Sequence, residues 1–198
     1  MISCVIKGVS LTFETDAENF SPGRIDKGTL AMLSLVDFCP DDRVLDLGCG
    51  YGPVGILAAR LIGPERVVMC DISERAVEMA QKNAAANGVS AVKIVRSDAL
   101  SQIDDAGFTW ILSNPPYHAD FSVPKAFIEK GFNRLQIGGK MVMVTKRKEW
   151  YKNKLISIFG GVSITEIDGY YVFISEKRSA DYAGQKIQRH KKRQAESR

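Results

Sequence analysis

From residue 41 onward, short apolar runs patterned as strands alternate with helix-patterned segments, and this alternation restricts the fold more than any other property of the chain. Arg43-Val44-Leu45 runs into Asp46, and Pro53, a residue favoured at the first helical position, opens the next segment. Residues 65–70 read as a second strand closing on Asp71. Ser73 is placed to cap a helix through Asn87, and Gly88 suits its C-terminal stop. Further strands are expected at 92–95, 109–113 and 141–145, with a helix around 125–136 between the last two. Segments 162–167 and 170–175 flank Asp168-Gly169, a strong hairpin signal. Seven strands in this order predict an α/β fold: a mostly parallel sheet with helices on both faces and an antiparallel strand at the C-terminal end.

The N-terminal residues 1–40 differ. Ile2–Ile6 and Val9–Phe13 around Lys7-Gly8 predict a small hairpin, followed by "FSPGRIDKGT" and an apolar helix over 30–38. Some 40 residues are too few for a separate domain, so 1–40 is expected to cap the sheet of a single 198-residue domain whose core is 41–176. The tail 177–198 carries eight Lys/Arg against two Asp/Glu, which leaves the rest of the chain slightly acidic. A basic tail of this kind either contacts a polyanion or is simply solvated. No apolar stretch approaches the roughly 18 residues of a membrane span, and the first residues lack a signal-peptide pattern. Cys4, Cys39, Cys49 and Cys70 form no CxxC pair, so buried free thiols in a reducing cytoplasm are expected, with neither disulfides nor a metal site.

"VLDLGCGYGPVG" places Gly48, Gly50 and Gly52 between the first strand and its helix, where glycine lets the backbone turn sharply and a ligand approach closely. The G-x-G-x-G spacing departs from the dinucleotide fingerprint and by itself suits NAD, FAD, S-adenosyl-L-methionine or a plain tight turn. Asp46, Asp71 and Asp98 end three successive strands, and such residues line the crevice at the carboxyl edge of a parallel sheet. Asp71 is placed to accept from two ribose hydroxyls. Asp98 either accepts from an adenine amine or caps the following turn. With no basic residue in the glycine loop and no GKS or GKT after it, a cationic nucleoside fits this acidic edge better than a pyrophosphate.

The fourth strand ends in "SNPPYHAD". Neither proline has an N–H, so around Asn114 and Pro115 the stiff backbone offers carbonyl acceptors and few donors.

The DLGCGYG loop, the spacing of Asp71 and Asp98 and the NPPY sequence together resemble class I S-adenosylmethionine-dependent methyltransferases, over residues 20 to 175. The resemblance implies a Rossmann-like fold with S-adenosyl-L-methionine held by Asp46, Gly48, Cys49, Gly50, Gly52, Asp71, Ile72, Asp98, Ala99 and Asn114. It implies a catalytic corner of Asn114, Pro115, Pro116 and Tyr117. There the Asn114 side-chain and Pro115 main-chain carbonyls would bind the two N–H groups of a planar amine and stabilise charge developing on nitrogen. Tyr117 would offer a stacking face. His118 either touches the substrate or merely follows a turn, and Phe108 and Trp110 are expected in the core.

Phe20, Ser21, Ile25, Asp26, Gly28, Thr29 and Leu30, followed by Asn114 to His118, further resemble guanine-N2 methyltransferases of ribosomal RNA of the RsmC type, above all short single-domain members called YbxB-like. Tyr117 stands where that family usually has Phe. The resemblance implies that segment 20–29 closes over the cofactor, with Phe20, Asp26, Tyr117 and His118 facing the substrate. It also implies RNA, ribosomal in origin, as the partner, with Lys146-Arg147-Lys148 and the basic tail available for contacts. The longer relatives carry a second copy of the domain, which is not seen here. An N5-glutamine methyltransferase acting on a release factor and an adenine-N6 methyltransferase share NPPY and stay open, with a non-enzymatic RNA-binding module as a third reading. The sequence favours neither a monomer nor a homodimer.

Overall fold

The computed structural model describes residues 1–15, 24–116 and 120–184. Val44–Leu47 (β3) is buried at every position, as a strand covered on both faces must be, with Asp46 its one polar residue. Val67–Asp71 (β4) and Phe108–Ser113 (β6) pair parallel with β3 on its two sides, and Lys93–Arg96 (β5) lies beyond β4. Leu135–Thr145 (β7) extends the sheet past β6, followed by Tyr170–Glu176 (β9) and Ser163–Ile167 (β8). The order is β5-β4-β3-β6-β7-β9-β8, with β9 alone running against the rest. Successive strands move outward from β3 to β5, and the chain then restarts at β6 on the other side. The carboxyl ends of β3 and β6 therefore border a topological switch point, the usual ligand crevice of such sheets.

Alternating side chains of the strands feed two cores. Val44 faces the core formed with Lys27–Ser34 (α1), Pro53–Ile62 (α2) and Glu74–Ala86 (α3). Leu45 and Leu47 face the core formed with Ser122–Arg134 (α4) and Lys148–Phe159 (α5). Helix α2 is apolar nearly all round because it lies between the sheet and the N-terminal ribbon, Ile2–Ile6 (β1) and Val9–Phe13 (β2). The ribbon turns on Lys7-Gly8 and the last hairpin on Asp168-Gly169, all four residues at positive φ as a two-residue hairpin loop demands.

Two asparagines clasp the ribbon. Asn87 accepts the Thr12 N–H at 3.0 Å and returns a hydrogen bond to the Thr12 carbonyl at 2.7 Å. Asn83 does the same for Glu14, at 2.7 and 3.0 Å, and its amide also donates to the Tyr51 carbonyl in the glycine loop at 2.9 Å. Asn83 in the last turn of α3 and Asn87 at its C-cap, one turn apart, stand in for a neighbouring strand along the edge of β2.

Several boundaries differ from the sequence reading. Helix α1 begins at Lys27, not residue 30, because the Asp26 carboxylate caps it by accepting the Thr29 N–H at 2.9 Å. It ends at Ser34, where Leu35 closes a tighter turn on Met32. Residues 135 and 136, assigned to a helix, instead open β7, whose register against β6 shifts at a bulge between Phe108 and Trp110. Gly139 belongs there: a Cβ on it would lie 2.6 Å from the Phe108 carbonyl. Helix α5 was not anticipated, although its buried Tyr151, Leu155, Ile158 and Phe159 repeat at helical spacing and Gly160 ends it at positive φ. Phe108 is fully buried, whereas Trp110 is half-buried and donates to Asp42. Cys49 and Cys70 are buried, but Cys4, on a two-stranded ribbon, is half-buried and Cys39, ahead of Pro40, is exposed. Among the described residues no helix is long and apolar enough to cross a membrane.

Candidate active site

The loops leaving β3, β4 and β6 surround a cavity of about 630 Å³, within the size range of small-molecule sites. Gly48, Gly50, Asp71, Ile72, Asp98, Ala99, Asn114, Pro115 and Pro116 all border it. The glycine loop is folded back on β4: the N–H groups of Gly48 and Cys49 both donate to the Cys70 carbonyl at 2.9 Å. Gly48, Gly50 and Gly52 have φ of 76°, 56° and 98°, conformations that cost other residues strain. At Gly52 a Cβ would also meet the ends of the Ile56 and Met69 side chains within 2.9 Å, so a larger residue would have to displace them as well as bear the strain of that φ.

Both oxygens of Asp71 are engaged by the main chain, one by the Gly50 N–H and the other by the Ser73 N–H, each at 2.9 Å. A carboxylate has about four acceptor sites, so roughly one per oxygen is left for a ligand. That arrangement suits a vicinal diol. Beyond β5, Ser97 takes the structural work that sequence offered to Asp98. Its N–H donates to the Asp71 carbonyl at 2.8 Å and its hydroxyl accepts the Gln102 N–H at 3.1 Å. Asp98 is exposed at the cavity, and among the described residues nothing hydrogen-bonds its carboxylate. Ala99, the next residue, sits at φ 50°.

Asp46, Cys49 and Gly52 stand apart from the large cavity. Asp46 and Cys49 border an adjoining pocket of about 30 Å³ that shares Asp26, Gly48, Gly50 and Asn114 with it. Asp46 accepts the Gly55 N–H at 2.8 Å and so anchors the first turn of α2. Burial pushes its carboxyl up to about 7, the Gly55 bond pulls the other way, and the Asp71 charge adds to the rise.

The β6 side is built from side chains. Ser113 donates to the Leu47 carbonyl at 2.7 Å, tying the ends of β6 and β3 together. The Asn114 amide nitrogen donates to Asp26 Oδ2 at 2.9 Å and to Thr29 Oγ1 at 3.0 Å. Asp26 Oδ2 also holds the Thr29 N–H, so it faces Asn114 only as an acceptor. The NH₂ group must therefore point toward α1, and among the described residues nothing occupies the Asn114 Oδ1, which is left for a ligand. Sequence reading placed Asp26 against the substrate; the structure shows it capping α1 and orienting Asn114, with an edge on the cavity. It missed Leu47, Cys70, Ser73, Ala76 and Ser97, which line the cavity beside the predicted residues, and Val123 and Phe127 of α4, whose only sequence mark is their apolar character. Phe20, Ser21, Tyr117 and His118 lie outside the described residues.

A family model described as the methyltransferase small domain matches residues 10–175. The chain belongs to that family. Its solved relatives include a 16S rRNA N2-guanine methyltransferase (RsmC) from T. thermophilus, in complex with AdoMet and guanosine: TM-score 0.78, 30% identity, 89% of this chain and 50% of that one. Among sequences, the YbxB protein of Bacillus subtilis (strain 168) is 34% identical over 178 residues, 87% of this chain and 89% of that protein. Ribosomal RNA small subunit methyltransferase C of Pseudoalteromonas atlantica (strain T6c / ATCC BAA-1087) is 33% identical over 159 residues, 78% of this chain and 46% of that one. The chain thus spans about half the length of the ribosomal RNA methyltransferases it matches. Family membership accounts for the Rossmann-like sheet, and the RsmC resemblance drawn from segment 20–29 and the NPPY corner agrees with it.

Proposed function

We propose that this chain transfers a methyl group from S-adenosyl-L-methionine to the exocyclic N2 amine of a guanine in ribosomal RNA. The residues fit that cosubstrate on physical grounds. Asp71 keeps acceptor capacity for a ribose diol, Asp98 presents a carboxylate unengaged among the described residues, and the glycine loop leaves room for close approach of a ligand. When bound, the cosubstrate supplies a methyl group on a positively charged sulfur, whose bonding electrons stay with the sulfur on transfer.

The chain's own task is to present the amine. An aromatic amine is a weak nucleophile because its lone pair is delocalised into the ring. Asn114 Oδ1, held outward by Asp26 and Thr29, accepts one N–H, and the Pro115 carbonyl is the natural acceptor for the other. Gripping both hydrogens turns the lone pair out of the plane and stabilises positive charge growing on nitrogen. The methylated, cationic nitrogen releases its proton readily to water, so no strong base is required. The orientation of the Asn114 amide is the observation that carries this reading, and the RsmC relatives supply the substrate class.

Nucleoside mass spectrometry of ribosomal and transfer RNA from cells with and without the gene tests it. Loss of one N2-methylguanosine is expected. Loss of an N6-methyladenosine would replace guanine by adenine, and unaltered RNA would transfer the same amine chemistry to a protein glutamine.

A further inference from the structure

Three consecutive cations leave the sheet at the same edge as Asn114. Ser113 pairs with Met143 and Thr145 with Tyr171, so Lys146, Arg147 and Lys148 emerge beside the proline corner. All three are exposed. Each lies over an aromatic ring: Lys146 Nζ 4.9 Å from the Tyr170 centroid, Arg147 Cζ 5.0 Å from Phe121, and Lys148 Nζ 5.0 Å from Tyr171. Two of the rings are fixed in turn. Tyr170 packs on Gly28 of α1, where a Cβ would come within 2.8 Å of its ring, and Phe121 stacks on Trp150 at 4.5 Å. Among the described residues neither Arg147 nor Lys148 is salt-bridged.

Basic residues interleaved with aromatics usually mark nucleic-acid surfaces on which bases stack. Here the ring faces are already occupied by the cations. Such rings cannot serve as stacking platforms on those faces; they hold long, otherwise mobile side chains in place. Resting on the function proposed above, we infer that Lys146, Arg147 and Lys148 form a preset phosphate track that carries an RNA strand past Asn114, gripping the backbone and reading no base. Phosphate contacts position a strand and carry no sequence information, so the choice of guanine falls to the cavity and to the shape of the RNA.

The test is the double variant Arg147→Gln/Lys148→Gln in the full chain, titrated with short single-stranded RNAs of unrelated sequence at several salt concentrations. Each lost phosphate contact lowers the slope of log K against log salt by about 0.7, so the slope should fall by about 1.4 and affinity by about 25-fold near 0.1 M salt. The loss should be equal for every sequence. Calorimetric affinity for S-adenosyl-L-methionine checks that the site is intact. An unchanged slope, in a protein whose wild type methylates ribosomal RNA, would overturn the track and leave the function standing. A loss confined to some sequences would overturn the claim that bases go unread. A wild type that neither binds nor methylates RNA would overturn both.

Discussion

On the β4 side of the crevice a carboxylate is held by main-chain N–H groups, whereas on the β6 side an amide is held by side chains. Asp71 takes its two bonds from Gly50 and Ser73, which no substitution short of proline can remove. Asn114 donates its two to Asp26 and Thr29, which lie 88 and 85 residues away in sequence. The first arrangement is robust to side-chain change, and the second depends on two particular side chains. The half that would hold the cosubstrate is therefore built into the loop itself. The half that would aim the amine is assembled from distant parts of the chain and falls if either α1 or its cap is altered.

Removing the aimed group should have the largest effect. Asn114→Ala is expected to lower turnover by about 10²–10³-fold, the usual cost of one preorganised polar group, while calorimetric cosubstrate affinity changes little. Turnover within a few-fold of wild type would mean that the amide is not the acceptor. Asp71→Asn tests the robust half. Its NH₂ would confront one of two backbone donors, and cosubstrate affinity should fall by about 1–3 kcal/mol with far less effect on turnover at saturation. Asp26→Ala separates the two halves most sharply. Freed to rotate, Asn114 should lose about tenfold in turnover, with cosubstrate affinity nearly intact, as expected for one hydrogen bond of about 1–1.5 kcal/mol. Equal losses in both measurements would erase the distinction.

The smallest effect concerns pH. Asp46 holds its proton up to about 7 in the folded chain, against about 3.9 when unfolded. Between those values the folded state binds more protons, so this group's contribution to stability declines as pH rises. Melting temperatures at pH 5 and pH 8 should show wild type losing a few degrees more than Asp46→Asn. A gap that widens toward high pH in favour of wild type would contradict the assignment.

The parallel core was legible because polar residues mark where its strands stop: Asp71 closes β4 and Asn114 follows β6, and Gly52-Pro53 opens α2, whereas Asp46, expected at the end of its strand, lies inside β3, which runs on through Leu47. What sequence left hidden is long-range pairing. Nothing local in "RIDKGT" reveals that Asp26 will face Asn114, because a helix cap and a side-chain clamp are the same residue type at the same place. Ser97 and Asp98 are similarly interchangeable on paper, since either can cap a turn; burial of the serine decides it. Helix α5 had its apolar period in view but sat among charged residues that masked it.

The Asn83 amide touches both the Glu14 carbonyl and the Tyr51 carbonyl, so the outer ribbon and the glycine loop share a single fastening. Whatever stills the loop stills the ribbon too. Loading the crevice should therefore slow deuterium uptake at the Thr12 and Glu14 amides, a distant reporter of occupancy in residues that do not border the cavity.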